Sequence, residues 1–285
     1  MLFAAASPGK SSFTGKTALI CGGSKGIGRE MGLEIVRRGG SVCLLARHEE
    51  PLLETAQAAR GLAGAGQVVE TIVGDATNME QMRSLLDAYI GRRGVPDYLI
   101  NAVGYAYPQY LEKLTLEDFR RNMEVNYYGQ LVPILVLLPH LMAARRGHIV
   151  NIISILGHLG MVGYATYAPT KGALYALSDT LRHELKPYNI RVSVCYPPDT
   201  DTPGFAVENQ TKPPETKWIS GHRSRVYSAE EVALDLVNGI EKGRFEIFAG
   251  DQGLLRLAGR LFPGIVRFIL DRDYTQARKL KNAET

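Results

Sequence analysis

The chain has 285 residues, 45% of them hydrophobic, enough to bury one large α/β core. Its 33 basic and 29 acidic residues leave a formal charge of +4, too balanced to argue for nucleic acid as a partner. Cys21, Cys43 and Cys195 sit in apolar runs without metal or redox spacing, so they read as reduced core residues of a cytoplasmic protein, and no metal site is expected.

The N-terminal MLFAAASPGK has a short apolar run with no basic residue before it, unlike a secretory signal. Residues 1–13 are read as an extension, and the first strand as Thr17 to Gly22. Gly22, Gly26 and Gly28 follow at once, ahead of a helical pattern through Arg38. Strand, glycine turn and helix are the order a dinucleotide site needs: glycine admits a pyrophosphate to the backbone, and the helix N-terminus supplies amide donors. The spacing is G-x-x-x-G-x-G, and alone it also suits any tight turn between strand and helix.

SVCLLARH reads as the second strand. A carboxylate about 20 positions beyond the glycines would accept from the ribose hydroxyl of NAD, whereas a cation there would pair with the extra phosphate of NADP. Arg47 occupies that region and Lys25 stands beside Gly26, which favours NADP over the alternative of two ordinary solvated charges.

A helix from Pro51 to Arg60, a strand VVETIVGD ending at Asp75, and a capping-box pattern at Asn78 come next. The fourth strand runs from Asp97 to Asn101, and Gly104 after it would let a nicotinamide ribose lie close to the chain. Thr115 opens a long helix carrying Asn126, whose uncharged part reaches Ala144. By length that part could span a membrane, but Gln130, Pro133, Pro139 and His140 favour a buried helix. Gly147 to Ser154 is the fifth strand, Tyr164 to about Lys186 a helix, and Ile190 to Tyr196 the sixth strand. Alternation of this kind predicts a single Rossmann-like, doubly wound α/β domain over residues 14–250, with a parallel sheet of about seven strands.

Ser154, Tyr167 and Lys171 carry the chemistry. Tyr167 and Lys171 project from one helix face, a turn apart, so the ammonium could stabilise a phenolate and bring the phenol toward its working range. Ser154 could hydrogen-bond a carbonyl held between it and Tyr167. A Tyr-x-x-x-Lys pair alone is weak; the glycine turn is the partner that gives it meaning.

The stretch Cys21-Gly-Gly-Ser-Lys-Gly-Ile-Gly28, with Asp75, Asn101-Ala-Val-Gly104, Asn126, Ser154, Tyr167-x-x-x-Lys171 and Pro197 to Thr202, resembles the short-chain dehydrogenase/reductase superfamily. The resemblance implies Tyr167 as general acid, Lys171 as its tuner and a ribose ligand, Ser154 as carbonyl holder and Asn126 as anchor of a water relay. It further implies adenine contact at Asp75 and amide contact at Thr202. Ser24, Ile27, Ala76, Asn101, Pro197 and Thr200 are the remaining implied cofactor neighbours, and a homo-oligomer is expected. Within the superfamily, the stretches Tyr196 to Phe205 and Glu208 to Thr216, with Asn126-Tyr-Tyr-Gly129, resemble the 3-ketodihydrosphingosine reductase family. That implies NADPH-dependent reduction of a long-chain keto amino alcohol. The other readings are a reductase of a steroid or 3-oxoacyl thioester, and a non-catalytic NADPH-binding regulator.

Residues 203–227 are proline-rich and polar, and read as a substrate lid or a plain surface loop. Ser228 and Glu231 form a capping box that restarts helix, and Phe245 to Ala249 is the last strand. Residues 253–270 lack acidic groups, and Arg256, Arg260 and Arg267 fall within about 40° on a helical wheel. Such a helix fits either peripheral contact with a membrane or packing on the body or a second subunit. Residues 271–285 read as a solvated tail.

Overall fold

In a sheet covered by helices on both faces, strands read as continuous apolar runs rather than alternating ones. The computed structural model, which describes residues 11–223 and 225–284, builds its sheet from such runs. In chain order the first half comprises β1 (Thr17–Cys21), α1 (Gly26–Arg37), β2 (Ser41–Ala46), α2 (Glu49–Leu62), β3 (Val69–Val73), α3 (Met79–Arg93) and β4 (Tyr98–Asn101). Then come α4 (Leu116–Met123), α5 (Gly129–Ala144), β5 (Gly147–Ile152), α6 (Ala168–Glu184) and β6 (Ile190–Tyr196). The remainder is β7 (Thr200–Asp201), α7 (Pro203–Thr211), α8 (Pro214–Arg223), β8 (Tyr227–Ser228), α9 (Ala229–Glu241), β9 (Glu246–Phe248), α10 (Gln252–Leu261) and α11 (Pro263–Glu284).

Seven strands form one sheet in the order β3-β2-β1-β4-β5-β6-β9, and every neighbouring pair is parallel. The doubly wound fold expected from the alternation is therefore present. Adjacent residues of β1 serve opposite faces: Ile20 joins Met31, Ile35 and Val237 beneath α1 and α9, while Leu19 joins Met82, Leu137 and Ile149 beneath α3 and α5. Strand order reverses between β1 and β4, and the carboxyl ends of those two strands open the crevice where ligands sit in such sheets.

Four expectations are revised. Phe13, assigned to the N-terminal extension, is fully buried and its ring centroid lies 4.8 Å from that of Tyr98; residues 1–10 lie outside the described part. Residues 203–227 hold the helices α7 and α8, and β7 pairs with β8 to close the segment at its base. Residues 253–270 form not one helix but two, α10 and α11, which part at Phe262-Pro263 because proline supplies no amide to continue the first. The expected tail belongs to α11, with Asp273 and Ala277 buried. Continuous helical structure from Leu116 to Ala144 is long and apolar enough to cross a membrane by length and composition, yet Val132, Ile134, Leu137 and Leu141 are buried in the core.

His148 on β5 is 2% exposed and shares a hydrogen bond of 2.7 Å between Nε2 and Ser193 Oγ. Burial, helped by the nearby Arg191 charge, pushes its pKa down to about 3. The unfolded chain, with an ordinary imidazole near 6.5, therefore takes up the proton first as pH falls. Stability from this residue is complete above pH 6.5 and drains away toward pH 3. By pH 5 the loss should reach about 2 kcal/mol. Urea unfolding of wild type and His148→Asn at neutral pH and at pH 5 checks this; equal acid losses in the two would remove His148 as the cause.

Candidate active site

The turn after β1 is shaped for close approach of backbone to ligand. Gly22 has φ +86°, and a Cβ there would stand 2.8 Å from the Ala102 carbonyl carbon; one on Gly28 would stand 2.3 Å from the Gly22 oxygen. Neither position tolerates a side chain without opening the turn. Helix α1 then starts at Gly26 with extended Lys25 as its N-cap, no side-chain cap and no acidic residue in its first turn. Its first amides thus remain available for an anion, as the residues of a dinucleotide site require.

Gly22, Ser24, Lys25, Gly26, Ile27 and Gly28 line this cleft from one side, and Arg47, Asp75, Ala76, Gly104 and Thr202 from the others. Lys25 and Arg47 are exposed and have no ion-pair partner among the described residues. Asp75 turns its carboxylate back on its own loop, accepting from Thr77 N at 2.9 Å and Thr77 Oγ1 at 3.0 Å. Asn101, expected as a cofactor neighbour, keeps its side chain outside the cleft: fully buried, its Nδ2 donates to Asn151 Oδ1 at 2.9 Å.

The same cleft continues past Ile27, Ala102, Gly104 and Thr202 into a second chamber lined by Ser154, Tyr167, Lys171, Pro197 and Thr200. Ser154 stands just beyond β5, where its Oγ accepts from Leu156 N at 3.2 Å and fixes the turn. Tyr167 immediately precedes α6, whose early proline, Pro169, falls where a missing amide costs little. One turn on, Lys171 is 3% exposed; its Nζ donates to Ile152 O at 3.0 Å and lies 5.4 Å from the Tyr167 ring centroid.

Desolvation brings the Lys171 ammonium down to about 7. The Tyr167 phenol is raised, chiefly by burial and next by the Glu208 charge, with a hydrogen bond from Ser154 pulling the other way. The expected lowering of the phenol by its lysine is thus not the balance found here: loss of water dominates, and Lys171 is not among the groups that shift it.

Asn126 lies in a five-residue π turn, Glu124–Tyr128, inserted between α4 and α5. Its Oδ1 accepts from Tyr105 N at 2.8 Å, while Nδ2 donates to Tyr105 O at 3.0 Å and Thr170 Oγ1 at 3.2 Å. It therefore ties the loop after β4 to α6, behind the chamber rather than in it. Wide turns of this kind recur at functional sites, where they re-aim one side chain.

Arg121, Tyr164, Asp199 and Glu208 line the cleft, and sequence reasoning gives them no role. Arg121 lines the part beside the glycine turn, 5.6 Å from the Tyr105 ring centroid. Asp199, Tyr164 and Glu208 line the other chamber; Tyr164 OH donates to Glu208, and buried Lys212 pairs with Glu208 at 3.0 Å. Glu208 and Lys212 are four residues apart, a pairing signal available only to a reader who had taken residues 203–211 as helix.

Comparison with known proteins agrees with this geometry. A family model described as short chain dehydrogenase matches residues 16–213. A 3-dehydrosphinganine reductase of Danio rerio is 37% identical over 251 residues, 87% of this chain and 75% of the fish protein. A 3-ketodihydrosphingosine reductase of Dictyostelium discoideum is 36% identical over 269 residues, 89% of this chain and 80% of its own. Among solved structures, NAD+-bound xylitol dehydrogenase superposes with TM-score 0.71 at 26% identity, covering 81% of this chain and 93% of its own. Levodione reductase shares the fold with TM-score 0.77 at 23% identity, covering 84% and 98%. Sequence match and fold converge, and the chain belongs to the short chain dehydrogenase family.

Proposed function

We propose that the protein reduces 3-ketodihydrosphingosine to dihydrosphingosine with NADPH. The observation that carries this is one continuous cleft, running from the glycine turn to Ser154 and Tyr167 and on beneath α7. The names of its relatives supply the substrate class.

The first-turn amides of α1 would hold the pyrophosphate, and Lys25 and Arg47 the additional phosphate of NADPH. Asp75 and Ala76 would border the adenine, and Pro197, Thr200 and Thr202 the nicotinamide end. Bound NADPH would supply the hydride to the carbonyl carbon. Ser154 Oγ and Tyr167 Oη would bracket the carbonyl oxygen, holding it while charge develops. Tyr167 would give that oxygen its proton; burial raises the phenol, which keeps it protonated until the alkoxide forms. The resulting phenolate would be stabilised by the Ser154 hydroxyl and by Lys171, whose ammonium exchanges protons close to neutrality. Asn126 would brace the loop that carries Gly104.

The elbow between α10 and α11 supports peripheral contact with a membrane. Leu254, Leu257, Leu261, Phe262, Ile265 and Phe268 are 53–76% exposed there. Arg260 and Arg267 are exposed beside them, while Arg256 turns inward to Glu246 at 3.2 Å. An apolar ridge flanked by arginines suits anionic headgroups, and a lipid substrate would be met there.

NADPH consumption with 3-ketodihydrosphingosine, with and without vesicles containing anionic lipid, tests both parts. Turnover should exceed that on a steroid or a 3-oxoacyl thioester of similar length. Vesicles should raise it in wild type and not in a Phe262→Ser/Phe268→Ser double variant. Faster reduction of the steroid or thioester would replace the substrate assignment. Self-association without vesicle binding would assign the elbow to a second copy of the chain.

A further inference from the structure

We infer that Asp199 recognises the ammonium of the substrate, making the cleft selective for 2-amino ketones over plain long-chain ketones. The inference rests on the reductase reading above and names the group that would enforce it.

Asp199 follows the Pro197-Pro198 pair at the end of β6. Its carbonyl accepts from Tyr227 N at 2.9 Å, so the residue is fixed at the base of the β7–β8 pair rather than carried on α7 or α8. Its side chain lines the chamber that holds Ser154 and Tyr167. Among the described residues it has no hydrogen-bond or ion-pair partner. Burial, with the charges of Glu208 and Asp251 behind it, raises its carboxyl above the ordinary range, and only Lys212 acts against them. That cation is already committed to Glu208 at 3.0 Å.

Asp199 and Glu208 thus share one ammonium on this wall of the cleft. Glu208 is matched by Lys212 and by the Tyr164 hydroxyl, whereas Asp199 is left uncompensated. A poorly hydrated carboxylate without a counter-ion is costly, and a pocket for a purely hydrocarbon ketone gains nothing from it. A ligand ammonium would turn that cost into a charge-assisted hydrogen bond. Asp199 lines the same chamber as Ser154 and Tyr167, the pair that would bracket the carbonyl oxygen. In a 2-amino-3-ketone the ammonium is one carbon from that carbonyl. Apolar Leu156, Met161, Phe205 and Leu255 line the chamber for the chain beyond.

The test compares kcat/KM for 3-ketodihydrosphingosine with that for its 2-deamino analogue, equal in chain, ketone and terminal hydroxyl. Wild type should favour the amino ketone by about a hundredfold, and Asp199→Asn should erase most of that ratio, mainly through KM. An unchanged ratio in the variant overturns the inference. A measurement on wild type guards against a variant that fails to fold: dihydrosphingosine should inhibit at least about tenfold more strongly than its N-acetyl derivative. Equal inhibition overturns the inference as well. If wild type reduces both ketones equally, only the ammonium assignment falls; if it reduces the deaminated ketone and leaves the amino ketone untouched, the reductase reading falls with it.

Discussion

Phenylalanine in place of Tyr167 should lower kcat about a thousandfold while NADPH still binds, because the exchange removes the proton donor and little else. The ring stays packed between Tyr164, whose centroid is 5.8 Å away, and the Lys171 ammonium, so the fold of α6 is not at risk. Steady-state assay with 3-ketodihydrosphingosine, paired with fluorescence titration of NADPH, reads the two effects separately. Turnover in the variant within a few-fold of wild type would remove Tyr167 from the mechanism. Tight NADPH binding by wild type without turnover of any ketone would instead revive a sensing role.

The second large effect concerns cofactor choice. A Lys25→Ala/Arg47→Ala double variant should raise KM for NADPH by about a hundredfold and leave KM for NADH nearly unchanged. Each side chain offers the additional phosphate a charge-assisted bond of about 1.5 to 3 kcal/mol, discounted here because both are exposed to water. The nearby Asp75 carboxylate is occupied by Thr77, so it does not reach for a ribose hydroxyl in this arrangement. Equal loss for the two dinucleotides would mean that the pair serves solubility rather than recognition.

What the sequence made legible was local. Glycines at a strand end, a tyrosine and lysine one helical turn apart, and a β-branched run at Ile190–Tyr196 each state their structure within a few residues. The Ser228–Glu231 capping box is complete in both directions, as spacing suggested, while the one at Asn78 is only half made: Gln81 Oε1 accepts from Asp75 N at 2.7 Å instead.

The two helices within residues 203–227 were not legible because their prolines look like breakers. Pro203 in fact occupies the first turn of α7, with Thr202 Oγ1 capping it by accepting from Phe205 N at 3.1 Å, and Pro214 opens α8. The acidic wall of the cleft was out of reach for another reason. Asp199 and Glu208 belong to different elements, and only tertiary packing brings both to Tyr167. The C-terminal helix was hidden by its charges, since Asp273 looks solvated in sequence but is buried against Arg223.

That last pairing has a mechanical reach. Asp273 Oδ2 and Oδ1 accept from Arg223 Nε at 2.6 Å and Nη2 at 2.9 Å, which buckles the end of α8 to α11 as the two helices pack together. Ser220 of α8 lines the chamber that holds Tyr167, so the ion pair links a wall of the cleft to the helix that carries exposed Ile265 and Phe268. A force applied to α11 would therefore be transmitted through this buckle to α8 and the chamber wall.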